Sequence, residues 1–400
     1  MMKPVFPLLL AFLTAFSCSK PAAVVRLNVI DPGHFHAALV QKEALPGVCD
    51  TVRVYAPEGE ELQQYLATVA SYGQHWIQEI HSGEDFLSLL PPAQGTEAVV
   101  LAGNNARKTA YLLQAAQSGY HMLADKPMAI TRADYHLLEQ ACESAREQGL
   151  VLLELMTERY DRVNLRIREL LPEMGQICSG SPEEPAIVME SVHHFYKEVS
   201  GRPLVRPQWY YDTRCQGEGI ADVTTHLVDL VLWQCFPGES ITPSDISLVC
   251  ATHYPTLISP EQFRRSTGAE AFPPELTPDP DGYLPVYANG SITFCVKGVY
   301  VRMDVRWDFE GEPDAFHAVY HCADGDIAIV QDEHTAYARK LYAGGADCTP
   351  ESGPGHEEHF SLVTQAFLRY VRGEETLPDW EWSNLLAKYD LLTEAVTQAR

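Results

Sequence analysis

Between Val25 and Glu154, short apolar segments typical of strands alternate with amphipathic segments typical of helices. This alternation constrains the fold most, because strands separated by helices form a parallel sheet with helices on both faces. We therefore expect an α/β Rossmann-type parallel-sheet domain over residues 25–155. Its predicted strands cover residues 26–30, 51–55, 97–101, 120–124 and 151–154, and its predicted helices cover residues 34–43, a segment ending at Gln117, and residues 132–148.

After Met156 the pattern changes to strands with few helices between them, which favours an antiparallel sheet. The Pro- and Glu-rich segment 259–281 is expected to be a long loop. The sequence thus predicts an α+β substrate domain over residues 156–400, and a homo-oligomer formed through its sheet is compatible with this reading. A helix is expected over residues 160–171, strands over 186–192, 246–251, 290–296, 300–307 and 315–321, and a helical tail over 359–398 that is broken near Pro378.

The chain is strongly acidic, with a formal net charge of -25. Nucleic acid is therefore not an expected partner, because a chain of this charge cannot neutralise phosphates. The hydrophobic content of 46% is that of a globular protein. With 400 residues, more than one core is expected, in agreement with two domains. A small polar molecule is the expected partner.

The first 24 residues read as a targeting segment and tether rather than as part of the fold. Lys3 precedes an apolar run over residues 5–16, which is too short to span a bilayer as a helix and is typical of a secretory signal. Cys18 follows this run and suggests lipid attachment, whereas cleavage near Ala22 would give a lipid-free exported chain. We expect an exported protein, periplasmic or anchored as an outer-membrane lipoprotein.

Lys126 stands at the carboxyl end of the predicted strand 120–124, between Asp125 and Pro127. The carboxyl ends of parallel strands are where open α/β sheets bind ligands. Proline fixes its own φ and restricts the residue before it, so Lys126 is expected to be held at a set angle. The alternative is an ordinary exposed turn at the end of a strand.

A second informative stretch is a predicted helix that follows Gly217 and Gly219. Asp222, His226 and Asp229 are spaced i, i+4 and i+7 on it, so they share one face beside an apolar stripe. A histidine in this position can transfer protons near neutral pH, and a carboxylate one turn away can orient it. The alternative is an aspartate that stabilises the helix start beside a partly buried histidine.

Together these stretches resemble the Gfo/Idh/MocA family of sugar-type dehydrogenases, with Asp125-Lys126-Pro127 in place of the family's Glu-Lys-Pro. The resemblance covers nearly all of the chain after the targeting segment. It implies that Lys126, Asp222 and His226 are catalytic in hydride transfer from a sugar, glycoside or polyol hydroxyl. His226 would take the hydroxyl proton, Lys126 would bind the same oxygen, and Asp222 would position the substrate and the imidazole. The implied substrate-binding residues are Lys126, Trp209, Tyr210, Arg214, Asp222 and His226.

The resemblance also implies a nicotinamide cofactor, expected to be NAD rather than NADP because no arginine lies shortly after Glu58, which follows the second strand. The dinucleotide fingerprint departs from the family pattern, since only Gly33 of its three glycines remains. Asp31 replaces the first glycine, and its carboxylate would repel phosphate unless it turned outward. The implied cofactor-binding residues are Gly33, His34, Phe35, Glu58, Gly103, Asn104, Asn105, Asp125 and Lys126.

Three close histidine pairs raise the question of a metal: His34/His36, His193/His194 and His356/His359. None has a second half at a recognisable spacing, so no metal site is expected. Two other functions stay open beside the dehydrogenase. One is a glycoside hydrolase, lyase or epimerase that regenerates a tightly bound NAD in each cycle. The other is a non-catalytic sugar-binding lipoprotein.

Overall fold

The computed structural model describes residues 24–199, 202–311, 314–331, 336–342, 345–350 and 356–400. The predicted signal and lipid-attachment segment lies outside these residues and stays a prediction. Within the described residues, no helix is both long enough and apolar enough to cross a membrane.

The first sheet has six parallel strands in the order β3-β2-β1-β4-β5-β6, with the order reversing between β1 and β4. This is the strand order of the Rossmann fold, in which ligands bind at the carboxyl ends of the strands beside the reversal. Its strands are β1 (Arg26–Ile30), β2 (Thr51–Ala56), β3 (Ile77–Ser82), β4 (Glu97–Leu101), β5 (His121–Ala124) and β6 (Leu152–Glu154). Its helices are α1 (His36–Leu39), α2 (Glu60–Ser71), α3 (Asn105–Gln117) and α4 (Arg132–Glu147).

Most strands of the first sheet are apolar because both faces of the sheet are buried. All five residues of β4 are buried, and a continuous apolar run is the pattern of a strand buried on both faces. Three elements differ from the sequence prediction, and one of them is α2, which was not predicted at all. The helix predicted over residues 34–43 is limited to the four residues of α1, and β3 was not predicted because it is an exposed, mostly polar edge strand.

The second sheet has eight strands in the order β10-β11-β12-β7-β13-β14-β15-β16. Its neighbours are antiparallel except for β7 and β12, which confirms the predicted, largely antiparallel sheet. A separate two-stranded pair consists of β8 and β9. The strands are β7 (Ile187–His194), β8 (Glu198–Val199), β9 (Arg202–Pro203), β10 (Ile246–Ile258), β11 (Leu284–Val296), β12 (Val299–Asp308), β13 (Ala315–Cys322), β14 (Gly325–Gln331), β15 (Ala336–Tyr342) and β16 (Gly345–Pro350).

The helices that accompany this sheet include one that the sequence analysis had assigned to a loop. Residues 259–281 contain α9, which begins after Ser259 with a reciprocal capping box between Ser259 and Gln262. The helices are α5 (Arg162–Leu170), α6 (Thr213–Gln216), α7 (Gly219–Asp222), α8 (Thr224–Cys235), α9 (Pro260–Thr267), α10 (His356–Val371) and α11 (Asp379–Ala399).

The C-terminal helices return to the first sheet. Phe360 and Phe367 of α10 are buried in one hydrophobic cluster with Val29 and Val54 of the parallel sheet. The strands of the first sheet lie within residues 25–155 and those of the second within residues 156–400, while the domain division at that point stays a prediction. The two sheets enclose a cleft at the carboxyl ends of β1, β4 and β5.

Candidate active site

A cavity of about 610 Å³ lies between the carboxyl ends of the parallel strands and the second sheet. Ten of the residues predicted to form the site line it, although they come from distant parts of the chain. They are His34, Phe35, Gly103, Asn105, Asp125, Lys126, Trp209, Tyr210, Asp222 and His226.

Lys126 and Asp222 form an ion pair inside this cavity. The Lys126 Nζ lies 2.6 Å from Asp222 Oδ1, and Gln216 Nε2 donates to Asp222 Oδ2 at 3.1 Å. Although burial favours the neutral amine, the carboxylates of Asp222 and Asp125 raise the pKa of Lys126. Burial likewise opposes the charge of Asp222, but Lys126 holds the pKa of that carboxyl below its usual value. Both groups are therefore charged at neutral pH, and the ammonium is fixed within the cavity.

The predicted helix that carries Asp222 and His226 is divided into α7 and α8, and both residues face the cavity. The glycines before it are required by close packing. Gly217 has φ +92°, and a Cβ at Gly219 would overlap the carbonyl oxygen of Ala288 on β11. Glu218, which stands in the glycine run, points away from the cavity and pairs with His253 Nδ1 at 2.6 Å.

The second sheet supplies a cavity wall that the sequence analysis did not assign. His193 of β7 stacks on Trp307 of β12 with ring centroids 4.9 Å apart, and both residues line the cavity. Nearby, Lys197 Nζ lies 3.0 Å from Asp314 Oδ2. Lys197 belongs to a run of aromatic and basic residues between Tyr196 and Arg214, which precedes Gly217. No local pattern indicated Trp307 or Asp314.

Glu158 is a further cavity residue that the sequence analysis did not single out as functional. Burial, with a smaller contribution from Asp161, raises the pKa of Glu158 to about 7. A carboxyl group with this pKa is close to half protonated at neutral pH, which is the condition that suits a general acid or base.

A second cavity of about 520 Å³ adjoins the first and shares Arg206 and Trp209 with it. Glu58, which follows β2, and Asn104, which follows β4, line this cavity. The carboxylates of Glu60 and Glu61 line it as well, so the end of the cleft beside β2 is acidic. This charge is unfavourable for an additional phosphate on the ribose.

The turn after β1, residues 31–35, lies between the two cavities. The side chains of Glu61 and Trp209 cover its backbone at Gly33. Asp31 has φ +48° and is buried, with Tyr111 Oη donating to Oδ2 at 3.1 Å, so its side chain is not turned outward. A Cβ at Gly33 would lie 2.6 Å from Glu61 Oε2, and Trp209 Nε1 donates to Glu61 Oε1 at 2.7 Å. The two cavities offer space for the two ends of a dinucleotide, but its middle could approach Gly33 only if the half-buried Glu61 side chain moved.

His34 and His36 both approach Asp125 across this turn. The Nδ1 atoms lie 3.3 and 2.9 Å, respectively, from Asp125 Oδ2. Burial lowers the pKa of both imidazoles, to about 4 for His36. Burial opposes the charge of Asp125, but the two histidines hold the pKa of that carboxyl well below its usual range.

Of the residues predicted to bind the cofactor or the substrate, Gly33 and Arg214 line neither cavity, and neither does Asp229. The guanidinium of Arg214 is exposed and pairs with Asp212 at 2.8 Å, and this pairing holds it away from the proposed substrate site. Asp229 is buried between Arg159 Nε at 2.6 Å and Lys388 Nζ at 2.9 Å. Although Asp229 is on the same predicted helix face as Asp222, it belongs to an internal ion-pair cluster and does not line the cavity.

Comparisons with known proteins agree with this architecture. The family model described as "Putative oxidoreductase C terminal domain" matches residues 166–353 and 348–400, together more than half of the chain. A crystal structure described as that of a "putative oxidoreductase" from Parabacteroides merdae is 36% identical, with a TM-score of 0.89 over 94% of this chain and 98% of that one. No curated protein sequence matches the chain.

Two more distant structures share the fold at low identity. A 3-ketoreductase from Actinomadura kijaniata in complex with NADP and TDP-benzene is 16% identical, with a TM-score of 0.63 over 94% of this chain and 98% of that one. Biliverdin reductase from Synechocystis in complex with biliverdin and NADP+ is 15% identical, with a TM-score of 0.61 over 93% and 98%. The chain therefore belongs to the oxidoreductase family that carries this C-terminal domain, and its fold is of the Gfo/Idh/MocA type.

Proposed function

We propose that this protein is an NAD-dependent oxidoreductase that acts on a hydroxyl or ketone group of a sugar, glycoside or polyol. The observation that carries the proposal is the 2.6 Å ion pair between Lys126 and Asp222 in a cavity at the carboxyl ends of the parallel strands that His226 also lines. A fixed ammonium and an imidazole in one cavity can stabilise and protonate an oxygen whose charge changes during the reaction.

The proposed roles follow from the positions of the three side chains. Lys126 Nζ has donors left beside its bond to Asp222, and one of these would bind the reacting oxygen. His226 would take the proton from that oxygen in oxidation and return it in reduction. Asp222 keeps Lys126 charged and fixes the direction of its ammonium, because its second oxygen is held by Gln216.

The cofactor proposal rests on the two adjoining cavities. Glu58 would hold a ribose at the end of β2, while Asn104, Asn105 and Lys126 line the path toward the larger cavity. When bound, the nicotinamide would supply hydride transfer. The acidic end of the cleft favours NAD, whose ribose carries no additional phosphate. In contrast, the related 3-ketoreductase structure contains NADP.

The substrate proposal rests on the wall formed by the second sheet. Trp307, Tyr210 and Trp209 present aromatic surface to the cavity, and Lys197, Asp314 and His193 present polar groups beside it. Aromatic faces combined with a few polar groups suit a ring that bears hydroxyls. The 3-ketoreductase that shares this fold is in complex with TDP-benzene as well as NADP, and this supports a search among nucleotide-linked sugars.

We also propose that the protein is exported and anchored by lipid at Cys18, on the basis of its first twenty residues. Free NAD is expected to be scarce outside the cytoplasm, so the cofactor would have to be bound tightly and regenerated in place. This condition keeps the redox-cycling alternative open, in which a glycoside is hydrolysed, eliminated or epimerised without net release of NADH.

The deciding experiment combines nucleotide binding with reaction stoichiometry. Protein purified without added nucleotide is denatured and its released NAD(H) is measured, and nucleotide-free protein is titrated with NAD and NADP. We expect submicromolar affinity for NAD, which corresponds to about -8 kcal/mol. Net NADH formation from a sugar panel indicates a dehydrogenase, whereas conversion without net NADH indicates redox cycling. If the protein does not bind NAD at millimolar concentration, the proposal is contradicted and the non-catalytic sugar-binding protein is favoured. The position of Glu61 over Gly33 agrees with that alternative.

A further inference from the structure

Three groups that can bind a metal meet where the turn after β1 faces the end of β5. His34 Nδ1 and His36 Nδ1 lie 3.3 and 2.9 Å from the same carboxylate oxygen, Asp125 Oδ2. Their candidate ligand atoms all lie within 4.8 Å of one another. His36 and Asp125 are buried, and all three residues line the 610 Å³ cavity.

The distances from the two histidine nitrogens to the carboxylate oxygen match the spacing of ligands around one cation. Nitrogen and oxygen ligands about 2.1 Å from a transition-metal ion are roughly 3.0–3.4 Å apart in tetrahedral or octahedral geometry. The two nitrogen–oxygen distances are close to this range. In addition, His34 Nδ1 is buried without a hydrogen-bond partner among the described residues, although it lies beside the carboxylate. A buried nitrogen in this state is costly unless a further group binds it.

In another histidine–carboxylate cluster a lysine, and not a metal, balances the charge of the carboxylate. His194 Nδ1 lies 3.0 Å from Asp314 Oδ1, and there Lys197 Nζ provides the positive charge at 3.0 Å from Oδ2. Among the described residues, no lysine or arginine forms an ion pair with the carboxylate of Asp125. The ammonium of Lys126 is engaged by Asp222 instead.

We infer that His34, His36 and Asp125 bind a divalent first-row transition-metal cation on the cavity wall. Two imidazoles and one carboxylate match catalytic zinc sites and the three-ligand sites of non-haem iron, in which the remaining positions stay open. The open positions would face the cavity, where a cation could bind an oxygen of the ligand. This site goes beyond the proposed function. No metal was expected from the sequence, because no histidine pair has a second half at a recognisable spacing, and the third ligand, Asp125, lies 89 residues from His36.

The test measures metal binding directly, in the absence of nucleotide and substrate. Tag-free protein is stripped with a chelator and titrated with Zn²⁺ by calorimetry, and the bound metal is counted by mass spectrometry after desalting. We expect one high-affinity Zn²⁺ per chain. Asp125→Asn and His34→Gln should each weaken this binding by at least about tenfold, since changes even around metal ligands cost 10- to 100-fold. The visible spectrum of the Co²⁺ form should change in the same variants.

The matched control is His194→Gln, which alters the other buried histidine beside a carboxylate and should leave the Zn²⁺ affinity unchanged. Melting temperatures identify any variant that has lost its fold, and Asp125→Asn preserves the shape of the side chain. Absence of high-affinity Zn²⁺ and Co²⁺ binding in the wild type would overturn the inference. Equal affinity in the wild type and both ligand variants would overturn it as well. Neither result bears on the NAD titration, so the two proposals fail separately.

Discussion

The indole nitrogen of Trp209 donates a hydrogen bond to Glu61 Oε1 at 2.7 Å, and this pair lies directly over Gly33. Trp209 belongs to both adjoining cavities, so the contact stands at the passage between them. In a Rossmann domain the glycine at this position lets the backbone approach the cofactor's pyrophosphate. The Glu61 carboxylate therefore occupies the part of the cleft where a dinucleotide carries its negative charge.

Removal of this carboxylate should strengthen dinucleotide binding. A charge pair about 4 Å apart in water is worth about 1 kcal/mol, so Glu61→Gln should lower the Kd for NAD by about fivefold. Calorimetric titration measures the change, with Glu60→Gln as a control because Glu60 is the neighbouring acid of the same cavity. Unchanged or weaker NAD binding in Glu61→Gln would show that the Trp209–Glu61 pair does not obstruct the cofactor.

Lys126 and His226 should be necessary for turnover. Loss of an acid–base group costs about 10²- to 10⁴-fold in rate, so Lys126→Met and His226→Ala should each lower kcat by at least about 100-fold. His136→Ala is the control because that histidine is exposed on α4 and lies outside the cavity. If both cavity variants retain near-normal kcat while remaining folded, the assignment of catalytic roles is wrong.

The sequence predicted the parallel sheet well because most of its strands are apolar runs, whereas β3 was missed since its residues are exposed and polar. Resemblance to a family with known motifs also predicted that Lys126, Asp222 and His226 share one site, and all three line the cavity, but it did not predict the ion pair between Lys126 and Asp222. The wall of the second sheet was not predictable in this way. Trp307 faces His193 because β12 and β7 pair in parallel at this register, and local patterns do not determine the register of strands so distant in sequence.

Glu158 should make the stability of the protein depend on pH. Burial raises its pKa to about 7, so the folded state holds a proton that the unfolded chain releases near pH 4.5. Its stabilising effect is thus complete below about pH 4.5 and is lost as the pH rises through 7. Relative to Glu158→Gln, the wild type should lose unfolding free energy between about pH 5 and pH 8 in urea denaturation. Parallel pH profiles for the two proteins would contradict the raised pKa.

The buried ion-pair cluster around Lys388 should contribute strongly to stability. Lys388 is 1% exposed, and its Nζ lies 2.5 Å from Glu154 Oε2 and 2.9 Å from Asp229 Oδ1. Lys388→Met would leave these carboxylates buried without one of their partners, which typically costs 3–5 kcal/mol. The matched control is Lys297→Met, since Lys297 forms a surface pair with Glu239, and such pairs are worth about 0–1 kcal/mol.

Urea denaturation of both variants at neutral pH measures the difference, and the pH dependence provides a second readout. Burial opposes the charge of Asp229, yet Arg159 and Lys388 hold the pKa of its carboxyl below the usual value. A depressed pKa means that the stabilisation exists above about pH 4 and is lost as the pH falls further. The wild type should therefore lose more of its unfolding free energy on acidification than Lys388→Met, in which Asp229 has lost one of its two cationic partners. A cost in Lys388→Met no larger than that in Lys297→Met would show that this cluster, which joins α11 to β6 and α8, does not contribute strongly to stability.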